Sequence, residues 1–284
     1  MIDLAQPMQR QNWIALLDSL GIRPSRALGQ NFLVEPGIVE HIAAAAEVLP
    51  GETVIEIGPG MGILTRELLG VADRVIAIEL DRDLAGYLRT AFEAQPKLEL
   101  IESDALRIAV ENHIRPDENY SITANLPYSS ASAIIRFYLE QPHPPRRLTV
   151  MVQREVAERL VAAPPHMSIL GIATQFYAEG SIAFHVPPGA FVPSPRVESS
   201  VITLDVRPVA PLPLELRPQL FALLNAGFRH KRKTLANSIA DETQLPKALI
   251  SEQLAALNVD PLRRAQTLTV DEWVGLARAW RTAV

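Results

Sequence analysis

Between about residues 53 and 152 the chain repeats one pattern, a short β-branched run followed by a stretch of helical periodicity. The runs TVIEIG, RVIAIE, LELIES, YSITAN and RLTVMV begin at Thr53, Arg74, Leu98, Tyr120 and Arg147. Strands that alternate with helices in this way build a parallel sheet flanked by helices, so the expected class is α/β. Near-continuous apolar strands fit a sheet covered on both faces. In open sheets of this kind ligands bind beyond the carboxyl ends of the strands, which directs attention to the residues just after each run.

At 284 residues with 48% hydrophobic side chains, the chain can bury a core larger than one sheet needs. Proline punctuates it at 141–145 and 186–195, and VRPVAPLPLELRP (206–218) reads as an extended connection. Beyond it the periodicity is wholly helical: Leu220 to Ile239, Lys247 to Leu257, and a last helix opened by Thr269 with Glu272 three residues on, the signature of a capping box. Two domains are expected, residues 1–207 and a small all-helical 208–284. With no cysteine, and six histidines at no ligand spacing, no metal site is expected. The N-terminus lacks a basic-then-apolar leader, and no run approaches the roughly 18 apolar residues of a membrane span. A soluble, cytoplasmic protein without a membrane partner is expected.

VIEIGPGMGILTREL reads as a strand, a turn with Gly58, Gly60 and Gly62, and a helix. Glycines let backbone approach a ligand closely and set it near the helix N-terminus. A dinucleotide fingerprint would need a small residue where Ile63 stands, so nicotinamide is disfavoured. The next strand ends in Glu79, 21 residues after Gly58, where an acid can accept from both ribose hydroxyls. The third ends at Asp104, which can accept from an adenine amine. Both acids could instead be helix N-caps. A cradle, a ribose acceptor and an adenine acceptor without a basic residue suit S-adenosylmethionine, which has no phosphate.

NLPYSS follows the fourth strand. The amine of adenine is a weak nucleophile because its lone pair is delocalised into the ring, and acceptors aimed at its hydrogens draw it toward tetrahedral geometry. The side-chain oxygen of Asn125 and the Leu126 carbonyl can do this, since Pro127 restricts Leu126 to an extended conformation. Tyr128 offers a face on which an extruded base can stack. Phe191, in the proline-stiffened GAFVPSP, could close the sandwich or simply pack in the core.

The net charge of −5 hides an asymmetry: residues 205–284 carry 11 basic side chains against 8 acidic ones. The densest run is FRHKRK, with Arg229, Lys231, Arg232 and Lys233, and Arg10, Arg23 and Arg26 form a sparser group. Such a run is either a solvated face or a phosphate-binding surface.

Taken in order, LGQNFL (28–33), VIEIGPGMGILT, VIAIELDRD, SDAL, NLPY, QREVAERLVA, VPPGAFVPSPRVESSVI, FRHKRKTLANSI and PLRRAQTLTVDEW resemble the ribosomal RNA adenine dimethyltransferases, specifically their bacterial small-subunit branch. The resemblance runs from about residue 20 to the C-terminus. It implies a Rossmann-like, S-adenosylmethionine-dependent methyltransferase domain with a small helical C-terminal domain. The reaction it implies is N6,N6-dimethylation of two adjacent adenosines in a 3′-terminal hairpin loop of small-subunit RNA. The immature small subunit is the expected partner, and a monomer is expected because nothing suggests an obligate dimer. Carried over by motif, Asn31, Leu33, Gly58, Gly60, Glu79, Asp104 and Asn125 would hold the cofactor. Asn125, Leu126, Pro127 and Tyr128, with Phe191 opposite, would hold the target base, and the basic run would contact RNA. No residue is implied as an obligatory general base. The chain departs from the family where Ser129 and Ser130 replace the usual Asn-Ile. A large-subunit, macrolide-resistance type methyltransferase and a mainly non-catalytic assembly factor are the alternatives, and the long helical tail with PPGAFVPSPRVESSVI favours the small-subunit reading over the former.

Overall fold

A computed structural model describes residues 10–21, 24 and 30–280. Arg23, Arg26, Leu28, Gly29 and the side chain of Arg10 lie outside the described residues. The chain divides into two compact units, 1–157 with 179–206, and 158–178 with 207–284.

The first unit opens with α1 (Arg10–Ser19), a two-residue strand β1 (Phe32–Leu33) and α2 (Pro36–Ala45). There follow β2 (Thr53–Ile57), α3 (Ile63–Val71), β3 (Arg74–Glu79), α4 (Arg82–Ala91), β4 (Leu98–Glu102), β5 (Tyr120–Asn125), α5 (Ala131–Leu139) and β6 (Arg147–Gln153). All five expected runs are strands, and each pairs in parallel with its neighbours in the order β4-β3-β2-β5-β6. The central strand β2 is buried at every position, as a sheet covered on both faces requires.

After α6 (Arg154–Leu160) and α7 (Ile169–Tyr177) the chain adds β7 (Ala178–Val186), β8 (Phe191–Val192) and β9 (Ser199–Val206). β9 runs antiparallel to β6, and β7 completes the seven-stranded sheet beyond it. An antiparallel strand starts at the edge where the parallel strands end, so Ser199 faces Gln153 across the ladder. Within the proline-rich 186–195 segment, β8 forms an antiparallel ribbon with β1, with Leu33 opposite Phe191. This Rossmann-like arrangement places the ends of β2, β3, β4 and β5 along one edge.

In the second unit α8 (Arg217–Phe228), α9 (Leu235–Thr243), α10 (Lys247–Ala256) and α11 (Val270–Ala279) follow the proline-rich stretch. The Thr269–Glu272 capping box opens α11 with both reciprocal hydrogen bonds in place. The helix expected over Leu220–Ile239 is instead broken: α8 stops at Phe228, a turn closed by Lys233 N–H to the His230 carbonyl intervenes, and Thr234 takes an extended conformation before α9. Adjacent cations gain little from a continuous helix, and the turn lets both helices bury their apolar faces. Unlike the sequence boundary at 207, the contacts also assign 158–178 to this unit. The reason is α7, whose Phe176 is wholly buried and meets Phe221 of α8 edge-on at 6.5 Å.

Candidate active site

The β2–α3 turn can be made only by residues that tolerate left-handed backbone. Gly58, Gly60 and Gly62 have φ of 66°, 59° and 78°. At Gly62 an added Cβ would stand 2.5 Å from the Phe92 ring, so this glycine also permits close packing, whereas at Gly58 the space is open. Above the turn lies a cavity of about 220 Å³, lined from β1, the glycine turn and the ends of β2 to β5.

Glu79, at the end of β3, is 5% exposed. Its two oxygens accept from the backbone N–H of Gly60 at 3.1 Å and of Asp81 at 2.9 Å. Burial pushes its carboxyl above the usual range, a shift that these two N–H donors oppose. It is not the cap of α4: Asp81 is, accepting from the N–H of Asp83 and Leu84. That leaves Glu79 as a cavity wall rather than a helix stop. Asp104 does bond locally, one oxygen accepting from Leu106 N–H at 2.9 Å, while it also lines the cavity.

β5 delivers Asn125, whose amide nitrogen donates to the Asn31 carbonyl at 3.3 Å. A carbonyl only accepts, so the amide must present its nitrogen there, and its oxygen is left without a partner among the described residues. Leu126 N–H donates to the Met151 carbonyl, and the Pro127 carbonyl accepts from Ser130 and Ala131 at the start of α5. No described backbone N–H donates to the Leu126 carbonyl. Tyr128 is half-buried, its hydroxyl 2.7 Å from Ser199 Oγ.

Asn31, Leu33, Gly58, Gly60, Glu79, Asp104 and Asn125 through Tyr128 thus come together around one cavity. Phe191 does not. It is wholly buried in the core with Phe32 and Leu33 and forms no part of the cavity lining. The expected sandwich is therefore not made here, because pairing with β1 turns this side chain inward. Its evident work is to hold β1, and with it Asn31. Arg229, Lys231, Arg232 and Lys233 fall in the second unit, at the turn after α8. Two are paired with acids of α9, Arg229 with Glu242 at 3.7 Å and Lys233 with Asp241. Lys231 and Arg232 are exposed, with no ion-pair partner among the described residues.

Sequence reasoning missed Glu56. It sits near the end of β2, 1% exposed, lines the cavity, and has one oxygen with no hydrogen-bond partner among the described residues. Burial pushes its carboxyl up to about 8, Thr65 opposes this, and the neighbouring Glu79 charge adds to it. The signal was an acid inside an otherwise apolar run, which folding tolerates only if something repays the desolvation. Leu80, 55% exposed, and Ala105 were also missed, as the apolar residues that follow two of the strand-end acids.

With Glu56, Glu79 and Asp104 in its walls and no lysine, arginine or histidine among its described lining residues, the cavity suits a cation and not a phosphate. An unpartnered buried carboxylate oxygen and an open glycine cradle fit a sulfonium nucleoside with a free ammonium. No described group of side chains could hold a metal, and no described helix is long and apolar enough to cross a membrane.

Residues 23–276 match the ribosomal RNA adenine dimethylase family. The chain belongs to that family. A small-subunit rRNA methyltransferase A of Dehalococcoides mccartyi is 39% identical over 258 residues, covering 91% of this chain and 89% of its own. Among solved structures, a dimethyladenosine transferase of Plasmodium falciparum superposes with a TM-score of 0.74 at 26% identity, over 86% of this chain and 95% of that one. The 23S rRNA methyltransferase ErmE gives 0.71 at 26%, over 88% and 99%. Membership makes this rRNA adenine dimethylase an S-adenosylmethionine-dependent methyltransferase, and the residues around its cavity fit that donor.

Proposed function

We propose that the protein dimethylates N6 of two adjacent adenosines in the 3′-terminal hairpin loop of small-subunit (16S) ribosomal RNA during subunit biogenesis, acting in the cytoplasm as a monomer on the immature subunit. The observation that carries this reading is the end of β5. There two acceptors with no donor among the described residues, the Asn125 side-chain oxygen and the Leu126 carbonyl, adjoin an aromatic ring and a carboxylate-walled cavity. Identity favours the small-subunit reading over the large-subunit one, 39% to the relative named for the former against 26% to ErmE.

S-adenosylmethionine, when bound, supplies an electrophilic methyl on a sulfonium. Glu79 and Asp104 would accept from its ribose and adenine, the glycine turn would cradle it, and Glu56 would face its cationic part. Asn125 and Leu126 accept the two N6 hydrogens, which localises the nitrogen lone pair for in-line attack. The donor would supply the methyl and keep the electron pair of its carbon–sulfur bond as a neutral thioether. The methylated nitrogen is then acidic enough to lose its proton to water, so no dedicated base is required. Rotation about C6–N6 presents the second hydrogen for another round. Tyr128 supports the base from below, and Lys231 and Arg232 supply phosphate contacts from the helical unit.

The test is a competition. Purified protein is offered unmodified small subunits and unmodified large-subunit RNA with labelled donor. Label confined to the 3′ hairpin of the small-subunit RNA is expected; label confined to large-subunit RNA would move the protein to the resistance-type branch.

A further inference from the structure

The tyrosine proposed to carry the target base is itself held by a residue from a distant part of the chain. Tyr128 leaves the end of β5, and Ser199 opens β9, which is two strands away in the order β5-β6-β9. Two strand spacings are roughly 9–10 Å, a gap that a tyrosine can cross only by lying over the end of β6. Its hydroxyl meets Ser199 Oγ at 2.7 Å. Ser199 is 0% exposed, so its hydroxyl has no water to turn to, and the bond fixes the far tip of a ring whose near end follows Pro127. The anchor is fixed too. Arg154 N–H donates to the Glu198 carbonyl, the Arg154 and Glu198 side chains pair at 2.8 Å, and Gln153 stands opposite Ser199 in the ladder.

We infer that Ser199 is a positioning residue for methyl transfer, tethering the Tyr128 hydroxyl so that the ring holds the adenine amine in line with the donor methyl. This rests on the base-stacking role proposed for Tyr128. An in-line displacement tolerates little misplacement, and a ring free to pivot about its Cβ would still bind a base but would spread its amine over unproductive positions. The cost therefore falls on kcat.

The neighbouring Ser200 provides the control. It is equally buried and its hydroxyl is also engaged, but by His185 at 2.8 Å and not by the tyrosine. The experiment compares Ser199→Ala, Ser199→Thr, Ser200→Ala, Tyr128→Phe, Tyr128→Ala and the Ser199→Ala/Tyr128→Phe double variant. Each is assayed for kcat and KM on small subunits lacking dimethyladenosine, and for S-adenosylhomocysteine affinity and thermal midpoint. Ser199→Ala is expected to lower kcat about 10-fold with KM and S-adenosylhomocysteine affinity within about 2-fold. Tyr128→Phe should match it, the double variant should be no worse than either, Ser199→Thr should restore most of the rate, and Ser200→Ala should retain it.

Losses that multiply in the double variant, an unchanged kcat in Ser199→Ala, or an equal loss in Ser200→Ala would overturn the tether. If Ser199→Ala does not fold, Tyr128→Phe removes the same bond from its more exposed side, and a normal kcat there is equally contrary. The two readings fail separately. A fully active Tyr128→Ala removes the stacking role itself, whereas an inactive Tyr128→Ala beside a normal Ser199→Ala leaves stacking intact and removes only the tether.

Discussion

Burying a carboxyl group with an unpartnered oxygen is costly, and at Glu56 that cost is met by holding the group in its neutral form. Its folded value of about 8 lies above the ordinary 4.5. Between these values the folded chain retains a proton that the unfolded chain has released, so the unliganded protein loses stability as pH rises through that window. Glu56→Gln should accordingly raise the thermal midpoint of the unliganded protein at pH 8, by roughly 2–6 °C, and leave it little changed at pH 4.5. A cationic ligand reverses the preference by favouring the ionised form. Donor affinity should rise from pH 6 to 8 with proton release, measured by calorimetry in buffers of different ionisation enthalpy, and Glu56→Gln should bind weakly with no such rise. An affinity independent of pH would place the cation elsewhere. The acceptor role proposed for Asn125 predicts that Asn125→Ala lowers turnover about 10²-fold or more while donor binding is largely kept. Near-normal turnover would take the acceptor role from Asn125.

At the level of elements, the β1–β8 ribbon decides how firmly Asn31 sits against Asn125. Phe191→Ala empties a wholly buried site and should destabilise the protein by about 3–5 kcal/mol. Donor affinity should drop with it, because the Asn31 carbonyl that orients Asn125 loses its support. Loss of activity at unchanged stability would instead argue that Phe191 works on the base directly. The turn between α8 and α9 divides its four cations into two that are paired and two that are not. Replacing Lys231 and Arg232 together by alanine should weaken RNA binding and flatten its salt dependence by about one to two units of slope. Replacing Arg229 and Lys233 should do less, since Glu242 and Asp241 already offset them. Strands β2 to β6, the glycine turn and the strand-end acids were all readable in the sequence, because short β-branched apolar runs and left-handed glycines are local properties. The inward turn of Phe191 was not, since it depends on β8 pairing with a strand about 160 residues earlier. Neither was the break at FRHKRK: helical periodicity continues on both sides of a turn whose only local mark is its charge.

For the whole molecule, the division into units predicts where the chain can be cut. A fragment ending at the apparent linker near residue 207 keeps α7 but loses α8 and α11, which pack against it, Phe221 of α8 meeting Phe176. Such a fragment should aggregate or bind hydrophobic dyes. Replacing residues 161–176 by a short polar loop in it should restore solubility, and a well-behaved fragment 1–207 would show that α7 does not need the helices. The proline-rich stretch marked one junction in the sequence, while the excursion at 158–178 went unrecognised, because an apolar helix looks alike in either unit. The end of β5 and the carboxylate-walled cavity are proposed to carry out double methylation of an adenine amine. It is tested most directly by incubating the protein with the donor and unmodified small subunits, then analysing nucleosides of the 3′-terminal RNA fragment by mass spectrometry. Two N6,N6-dimethyladenosines per fragment are expected with the unaltered chain and almost none with Asn125→Ala. Tight binding to the subunit with no dimethyladenosine, or label on any other base, would contradict it.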